Sequence, residues 1–146
     1  MMHGQQPEKN VTKHTGKRMW GNQVLAIGLG AVLGANARYL VALWAAARFG
    51  LGFPYGTLIV NMTGSLILGF LVTVMLERLS VPPEVRLFLV VGFLGSFTTF
   101  SSFAVESLGL LQNGAAGKAI VNIFANNALS LACALLGVYL ARLINQ

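Results

Sequence analysis

The sequence is poor in charged side chains and contains no aspartate, and these absences exclude most soluble proteins. Only 10% of its 146 residues are charged, whereas a soluble domain carries about a quarter. Hydrophobic residues make up 55% of the chain, which excludes intrinsic disorder. Because so few charges cannot coat a water-facing surface, we predict a small integral membrane protein rather than a soluble enzyme.

Cysteine and histidine are also scarce. Cys133 is the single cysteine, which excludes an intrachain disulfide framework and a cysteine-based zinc site. The two histidines, His3 and His14, both fall in the polar N-terminal segment. The apolar part of the sequence therefore offers no histidine or cysteine cluster for catalysis or metal binding, and we predict that the protein is not an enzyme.

The apolar part of the sequence divides into four long stretches. About 20 apolar residues are needed for a helix to cross the hydrocarbon core of a bilayer. We predict membrane-spanning helices at about 23–47, 55–76, 86–111 and 117–143. Short, turn-like connections should make consecutive helices antiparallel neighbours. The predicted organisation is an all-α membrane domain over residues 21–146, preceded by a polar, basic tail over residues 1–20.

Lysine and arginine are distributed unevenly around these spans. Seven of the ten fall in the tail, in the second connection and at the C-terminus, namely Lys9, Lys13, Lys17, Arg18, Arg78, Arg86 and Arg142. Cytoplasmic loops are enriched in such residues, so this bias favours both termini in the cytoplasm. The predicted location is the inner (plasma) membrane, which the chain would cross several times. The positive net charge fits contact with anionic lipid, and we predict no nucleic-acid partner.

Polar side chains recur at the helical period in two of the spans. They are Thr57, Asn61 and Ser65 in the second span, and Asn122, Asn126 and Ser130 in the fourth. Residues spaced i, i+4 and i+8 lie on one helix face. Such rows either join helices through hydrogen bonds or line a pathway for a polar solute, and the spacing alone leaves both interpretations open.

The third span concentrates glycine and hydroxyl residues where the middle of the membrane should be. Two glycines and five Ser or Thr residues lie between Gly92 and Phe103. This composition permits a helix to break, because hydroxyls satisfy the freed backbone groups. A break would expose carbonyl oxygens suited to a hard cation. Phe97, Phe100 and Phe103 recur every third residue and either pack in the core or turn positive ring edges toward an anion.

Two charged residues, Arg38 and Glu106, lie more than one helical turn from the nearest end of a predicted span. Arg38 either extends to the interface or raises the electrostatic potential for an anion. Glu106 lies near the far end of the third span, and its role is equally open.

Taken together, these motifs resemble those of the Fluc/CrcB fluoride channels. The resemblance covers the chain from about Gly28 to its end. Three stretches carry it: 34–39 in the first span, 56–61 with Gly64 in the second, and 92–103 with Glu106 in the third. The third stretch, with its core Thr-Thr-Phe-Ser-x-Phe, is the most specific of the three.

The resemblance implies an antiparallel, dual-topology homodimer with two fluoride pathways and a third helix broken at mid-membrane. It also implies a structural sodium ion on the dimer axis, held by the main-chain carbonyls of Gly95 and Thr98. By the same resemblance, Phe100 and Phe103 match the phenylalanine pair that meets fluoride, Asn61 matches the pore asparagine, and Ser130 matches a fourth-helix hydroxyl. The remaining predicted pathway residues are Thr57, Ser101, Ser102 and Asn126.

The predicted function is passive, fluoride-selective efflux from the cytoplasm, which would reduce fluoride toxicity. A small proton-coupled exporter is an alternative, with Glu106 or Glu77 as its membrane carboxylate. A non-transporting membrane assembly subunit is the other alternative.

Overall fold

The computed structural model describes residues 8–77 and 80–144, with side chains described from Trp20 onward. Throughout these residues the ordered elements are helical. They are α1 (Glu8–Phe49), α2 (Tyr55–Glu77), α3 (Pro83–Arg86), a π-helical turn (Leu87–Leu94), α4 (Gly95–Phe97), α5 (Phe100–Gln112) and α6 (Ala116–Leu143). Residues 1–7 of the predicted tail lie outside the described residues. So does the loop residue Arg78, which was counted in the distribution of lysine and arginine above.

Four of the described helical stretches are long and apolar enough to cross a membrane: Trp20–Phe49, Tyr55–Glu77, Pro83–Gln112 and Ala116–Leu143. The predicted number of helices with the length and apolar character to span a membrane is confirmed. The first helix begins at Glu8 rather than at about residue 23, so it extends into the segment predicted as a tail. No proline interrupts the sequence between Glu8 and Phe49, and a helix can therefore continue through it.

Glycine ends two of the long helices. Gly50 follows α1 with a φ of 77°, and Gly114 follows α5 with a φ of 74°. A residue in this left-handed conformation commonly terminates a helix, and glycine adopts it without steric cost. The N–H of Gly50 donates to the carbonyl of Ala46 at 2.9 Å, so the chain leaves the helix with its backbone groups bonded.

The closest helix packing is between elements that do not follow each other in the chain. Consecutive helices also touch, as the short connections predicted, but α2 packs most extensively against α6. Glycine permits this approach: a Cβ at Gly69 would meet the backbone oxygen of Ala134, and one at Gly137 would meet that of Leu66. Small residues commonly occupy such membrane-helix contacts, because they let backbones approach.

The second close contact joins α1 to the π-helical turn. A Cβ at Gly30 or Gly34 would collide with the backbone oxygens of Phe88 and Phe93, respectively. The single chain is therefore two closely packed pairs, α2 with α6 and α1 with the first half of the third span. Smaller contacts join the two pairs to each other.

The third span is interrupted between α4 and α5. Thr98 has φ −76° and ψ 156°, and Thr99 has φ −153° and ψ 119°. These are extended rather than helical angles. The helix therefore stops at Phe97 and starts again at Phe100.

Most of the apolar surface is not covered within one chain. Between 11% and 17% of the residues in the most apolar part of each span are buried, and large apolar side chains are exposed on all the long helices. Because soluble monomers rarely expose such continuous apolar surface, lipid or another protein must cover these faces.

Candidate functional site

The interruption in the third span is held by a side chain from α2. The backbone N–H of Thr99 donates to Asn61 Oδ1 at 2.8 Å, and Asn61 Nδ2 donates to the carbonyl of Thr99 at 3.1 Å. In a continuous helix the N–H of Thr99 would instead donate to the carbonyl of Gly95. Asn61 thus takes the place of a helical partner, and the Gly95 carbonyl loses that donor.

The hydroxyl of Thr99 begins the next helix. Thr99 Oγ1 accepts from the backbone N–H of Ser102 at 3.2 Å, which is the usual role of a threonine at the N-cap of a helix. It also lies 3.1 Å from Ser102 Oγ and 3.3 Å from Ser101 Oγ. The N–H of Ser102 would otherwise donate to the carbonyl of Thr98, so this carbonyl too is deprived of its helical donor.

Three asparagine amides continue from this break toward α6. Asn61 Nδ2 donates to Asn126 Oδ1 at 3.0 Å, and Asn126 Nδ2 donates to Asn122 Oδ1 at 2.8 Å. Asn122 Nδ2 then donates to Ser107 Oγ at 2.9 Å. Asn122 and Asn126 are 0% and 5% exposed. We call Asn61, Asn126 and Asn122 the amide ladder.

A cavity of about 290 Å³ lies beside the amide ladder, between α2, α5 and α6. It brings together five of the predicted pathway residues: Asn61, Phe100, Phe103, Asn126 and Ser130. We call it the central cavity. The hydroxyl of Ser130 is buried and has no hydrogen-bond partner among the described residues. A buried hydroxyl without a partner is uncommon, and this one leaves a donor free to serve a bound group.

Two phenylalanine rings form one wall of the central cavity. Phe100 and Phe103 have ring centroids 5.4 Å apart and planes inclined at 61°. Such an inclination turns the edge of one ring toward the other, as ring quadrupoles favour. Phe103 is 7% exposed, whereas Phe100 is 75% exposed on the single chain.

Thr57 and Glu106 lie apart from the central cavity. Thr57 Oγ1 donates to Glu106 Oε1 at 2.7 Å, and both residues line a separate cavity of about 410 Å³ next to the connection between α1 and α2. Glu106 Oε2 is buried and has no hydrogen-bond partner among the described residues. The hydroxyl of Thr57 is therefore bonded to a carboxylate rather than directed at Asn61, four residues away on the same helix.

Arg38 and Ser101 lie on the outside of the subunit. They line an open groove of about 750 Å³ that also includes Gly95, Thr98 and Phe100. This surface, the outer groove, combines a cationic side chain, hydroxyls and the carbonyls of the break. Polar groups of this kind are costly against lipid tails, so the outer groove is poorly suited to face the hydrocarbon of a bilayer. Ser102, by contrast, stays within the cap of α5.

The family model described as "CrcB-like protein, Camphor Resistance (CrcB)" matches residues 25–138. The chain belongs to the CrcB family. The family predicted from the motifs is thereby confirmed. Residues 25–138 contain all of the CrcB chain's candidate site residues described above.

Relatives from several bacteria are similar to this CrcB chain over most of their length. A fluoride-specific ion channel FluC of Legionella pneumophila (strain Paris) is 48% identical over 120 residues, 82% of this chain and 90% of the relative. One from Rhizobium meliloti is 41% identical over 83% of this chain and 97% of the relative. One from Chloroflexus aurantiacus is 55% identical over 64% of this chain and 74% of the relative.

Sequence reasoning did not assign three contributors to the CrcB site. Ser107 accepts from Asn122, Asn122 supports Asn126, and Thr99 provides both the cap and the contact with Asn61. The i, i+4 spacing of Asn122 and Asn126 was visible in the sequence. The pairing with Ser107 was not, because it joins helices whose relative rotation only the fold determines.

Proposed function

We propose that this CrcB protein is a fluoride-selective channel through which cytoplasmic fluoride leaves the cell passively. The relatives at 41% to 55% identity carry the name fluoride-specific ion channel FluC. One observation supports the proposal most strongly: the central cavity joins amide and hydroxyl groups to two phenyl rings, and no lysine, arginine or histidine is among the described residues that line it. An ion that loses its hydration water needs replacement donors, and these groups supply them.

Fluoride would be bound by polar hydrogens and ring edges together. Ser130 Oγ is buried and has no partner in the part of the chain that the structure describes, so its hydrogen is available to an anion. Phe100 and Phe103 contribute the electropositive ring edges. A chain of moderately favourable contacts lets the ion enter and also leave, which a single strong cationic site would prevent. We therefore assign the direct fluoride contacts to Asn61, Ser130 and the two rings.

Four further residues have supporting roles and do not contact fluoride in this scheme. Ser102 and Thr99 hold the start of α5, which positions Phe100 and Phe103. Thr57 and Glu106 are joined in the cavity next to the α1–α2 connection, and we place them at an end of the pathway rather than at its centre. Fluoride undergoes no covalent change in this scheme.

We further propose that two copies form an antiparallel, dual-topology homodimer with two fluoride pathways. In each copy the outer groove exposes Arg38, Ser101 and Phe100, and these groups cannot face lipid tails without cost. A two-fold partner would cover both grooves with the same surface. Phe100, which is 75% exposed on one chain, would then lie inside the assembly and complete the wall of a pathway.

The break in the third span has the chemistry that a structural sodium ion requires. The carbonyls of Gly95 and Thr98 have both lost their helical donors, one to Asn61 and the other to Thr99. Both residues line the outer groove, where a partner copy would bring a second pair of carbonyls. Hard cations prefer such oxygen ligands. We propose that these four carbonyls hold Na⁺, which would fix the two subunits at the break.

The cell location follows from the same scheme. Passive removal of cytoplasmic fluoride requires a channel in the inner (plasma) membrane, and the helices Trp20–Phe49 to Ala116–Leu143 have the length for it. An aromatic group around the α1–α2 connection supports placement of that end at a membrane interface: the rings of Trp44 and Phe49 lie 5.7 Å apart, and those of Phe49 and Tyr55 lie 5.3 Å apart. Tryptophan and tyrosine, here Trp44 and Tyr55, are enriched at headgroup depth.

The test is ion release from liposomes that contain the purified protein, followed with fluoride-selective and chloride-selective electrodes. We expect rapid fluoride efflux and retained chloride, and we expect Asn61→Asp and Phe100→Ile to abolish efflux. Thr63→Val is the matched control for Asn61, because the Thr63 hydroxyl bonds the carbonyl of Ile59 in its own helix. Equal release of both halides, or transport that needs a proton gradient and is lost in Glu106→Gln, would contradict the proposal.

A further inference from the structure

The amide ladder is polarised, because every donor in it points the same way. Asn61 donates to Asn126, Asn126 donates to Asn122, and Asn122 donates to Ser107. Ser107 Oγ then donates to the carbonyl of Phe103 at 2.7 Å. Hydrogen bonds arranged head to tail in this way strengthen one another. The chain of donors therefore runs from the break in the third span to the middle of α5.

Thr99 determines this polarity. Its backbone N–H is only a donor, so the oxygen of the Asn61 amide must face it and the NH₂ group must face elsewhere. That NH₂ group faces Asn126, so Asn126 presents its oxygen to Asn61. The nitrogen and oxygen of an amide are distinguished by their partners, and here each assignment follows from the one before it.

The three contacts of the Asn61 amide are not equivalent. Two of them pair with the N–H and the carbonyl of Thr99 and keep the Asn61 side chain in place. The third, from Nδ2 to Asn126 Oδ1, uses the other amide hydrogen. An anion in the central cavity therefore finds both hydrogens of Asn61 already engaged. Only the bond to Asn126 can be exchanged without loosening the break.

We propose that fluoride reverses the polarity of the amide ladder and thereby converts Asn126 from an acceptor into a second amide donor to the ion. This inference rests on the proposed function. When fluoride takes the Asn61 hydrogen, Asn126 Oδ1 loses its donor. Rotation of the Asn126 amide by half a turn then directs its NH₂ group at fluoride and its oxygen at Asn122.

The reversed ladder leaves each side-chain amide with hydrogen-bond partners. One contact is given up, the bond from Asn126 Nδ2 to the main-chain carbonyl of Asn122 at 3.2 Å, and within a helix that carbonyl still accepts from the backbone N–H four residues on. Asn122 rotates in turn and donates to Asn126 Oδ1, and the hydroxyl of Ser107 turns from the Phe103 carbonyl to Asn122 Oδ1. No proton is transferred, and no side chain changes its volume, because the oxygen and NH₂ ends of an amide are similar in size. Since Asn122 is 0% exposed, bulk water cannot satisfy one amide separately. Asn126, Asn122 and Ser107 must therefore reverse together. The charge of the bound fluoride selects between the two hydrogen-bonded arrangements of these side chains.

Fluoride contact with side-chain nitrogen tests the reversal directly. The full-length protein, carrying ¹⁵N in its asparagine side chains, is reconstituted in liposomes with fluoride and studied by solid-state NMR that detects ¹⁵N close to ¹⁹F. Two fluoride-contacting amide signals are expected, one lost in Asn61→Ala and the other in Asn126→Ala. Asn36→Ala should retain both, because the Asn36 amide bonds the carbonyl of Val32 in its own helix and Asn36 does not line the central cavity. A single signal in the wild-type protein, belonging to Asn61, would overturn the inference without needing any variant to fold.

The concentration dependence of efflux provides an independent test. If Asn126 becomes a donor, Asn126→Ala should raise the fluoride concentration for half-maximal efflux about tenfold, which corresponds to one lost hydrogen bond to an ion. Asn126→Ser should recover part of this loss, because a hydroxyl can also accept or donate. Asn122→Leu should weaken fluoride binding similarly, since it removes the group that must receive the Asn126 oxygen.

The outcomes separate this inference from the proposed function. A lower half-saturating concentration in Asn126→Ala would mean that Asn126 only competes with fluoride, and it would overturn the reversal while leaving the channel function intact. An absence of fluoride efflux in the wild-type protein would instead contradict the proposed function itself, and the inference would fall with it.

Discussion

Asn61 and Thr99 bond each other twice, through the Thr99 N–H to Oδ1 at 2.8 Å and through Nδ2 to the Thr99 carbonyl at 3.1 Å. One side chain of α2 thus satisfies both backbone groups of a residue outside any helix. In hydrocarbon, where water cannot supply the partner, such a break persists only if protein groups replace the lost bonds. The same contact places an amide at the edge of the central cavity.

Removal of the Asn61 amide should therefore affect stability as well as transport. In Asn61→Ala, two buried backbone groups of Thr99 lose their partner, and we expect the free energy of unfolding to fall by about 1–3 kcal/mol for each unsatisfied group. Fluoride efflux should also stop. Unfolding in detergent and efflux from liposomes measure the two effects, with Thr63→Val as the control. An Asn61→Ala protein as stable as the wild type would argue against this role for the amide.

The two rings of the central cavity should respond differently to truncation. Phe103 is 7% exposed, so Phe103→Ala should destabilise the subunit itself by about 3–5 kcal/mol. Phe100 is 75% exposed on the single chain, and Phe100→Ala should mainly weaken association of the two copies and abolish efflux. Unfolding midpoints together with the dimer fraction on dilution in detergent separate these effects. Equal losses of subunit stability in the two variants would be inconsistent with an exposed Phe100.

The contact between α1 and the π-helical turn depends on Gly34. A methyl group there would meet the backbone oxygen of Phe93, which cannot move as a flexible side chain can. We expect Gly34→Ala to lower the free energy of unfolding by about 1–3 kcal/mol, the usual cost of overpacking. Gly28→Ala is the matched control on the same helix, because nothing lies within 4 Å of its added Cβ. Similar stability of the two variants would disprove the close approach.

Sodium should be needed for activity if the carbonyls of Gly95 and Thr98 hold it. Replacement of sodium by a large organic cation throughout purification and measurement should reduce efflux strongly, and restored sodium should recover it. Thr98→Ser should keep the same sodium response, because the proposed ligand is the main-chain oxygen and the serine hydroxyl can still bond the carbonyl of Leu94, as Thr98 Oγ1 does at 3.0 Å. Efflux that is indifferent to sodium would remove the ion from the scheme.

Some parts of the site could be read directly from the sequence. The glycine and hydroxyl residues around Thr98 and Thr99 indicated that the third span can be interrupted there, and the family resemblance implied that it is. The rows that include Asn61 and Asn126 predicted polar faces on α2 and α6. Both predictions depend only on local composition and on the helical period, which act over a few residues.

Other contacts of the site could not be predicted from the sequence, because they depend on how the helices pack. Thr57 shares a helix face with Asn61, yet its hydroxyl is bonded to Glu106 in a different cavity. Its sequence spacing could not distinguish these destinations, because a helix face is wide enough to meet two neighbours. Likewise, the shared role of Asn122 and Ser107 depends on how α5 and α6 are rotated against each other.

By itself, the sequence determined that four segments are long and apolar enough to cross a membrane, where the third of them concentrates glycine and hydroxyl residues, and to which family the chain belongs. These properties follow from hydropathy, composition and local motifs, none of which requires distant residues to meet. The tertiary structure alone decided that Asn61 replaces a helical partner at Thr99 and that the asparagines of two helices form one polarised ladder. It also decided that the buried Ser130 hydroxyl has no hydrogen-bond partner within the described part of the chain. Those relationships depend on glycine-mediated helix packing, which brings together backbones that are remote in the chain.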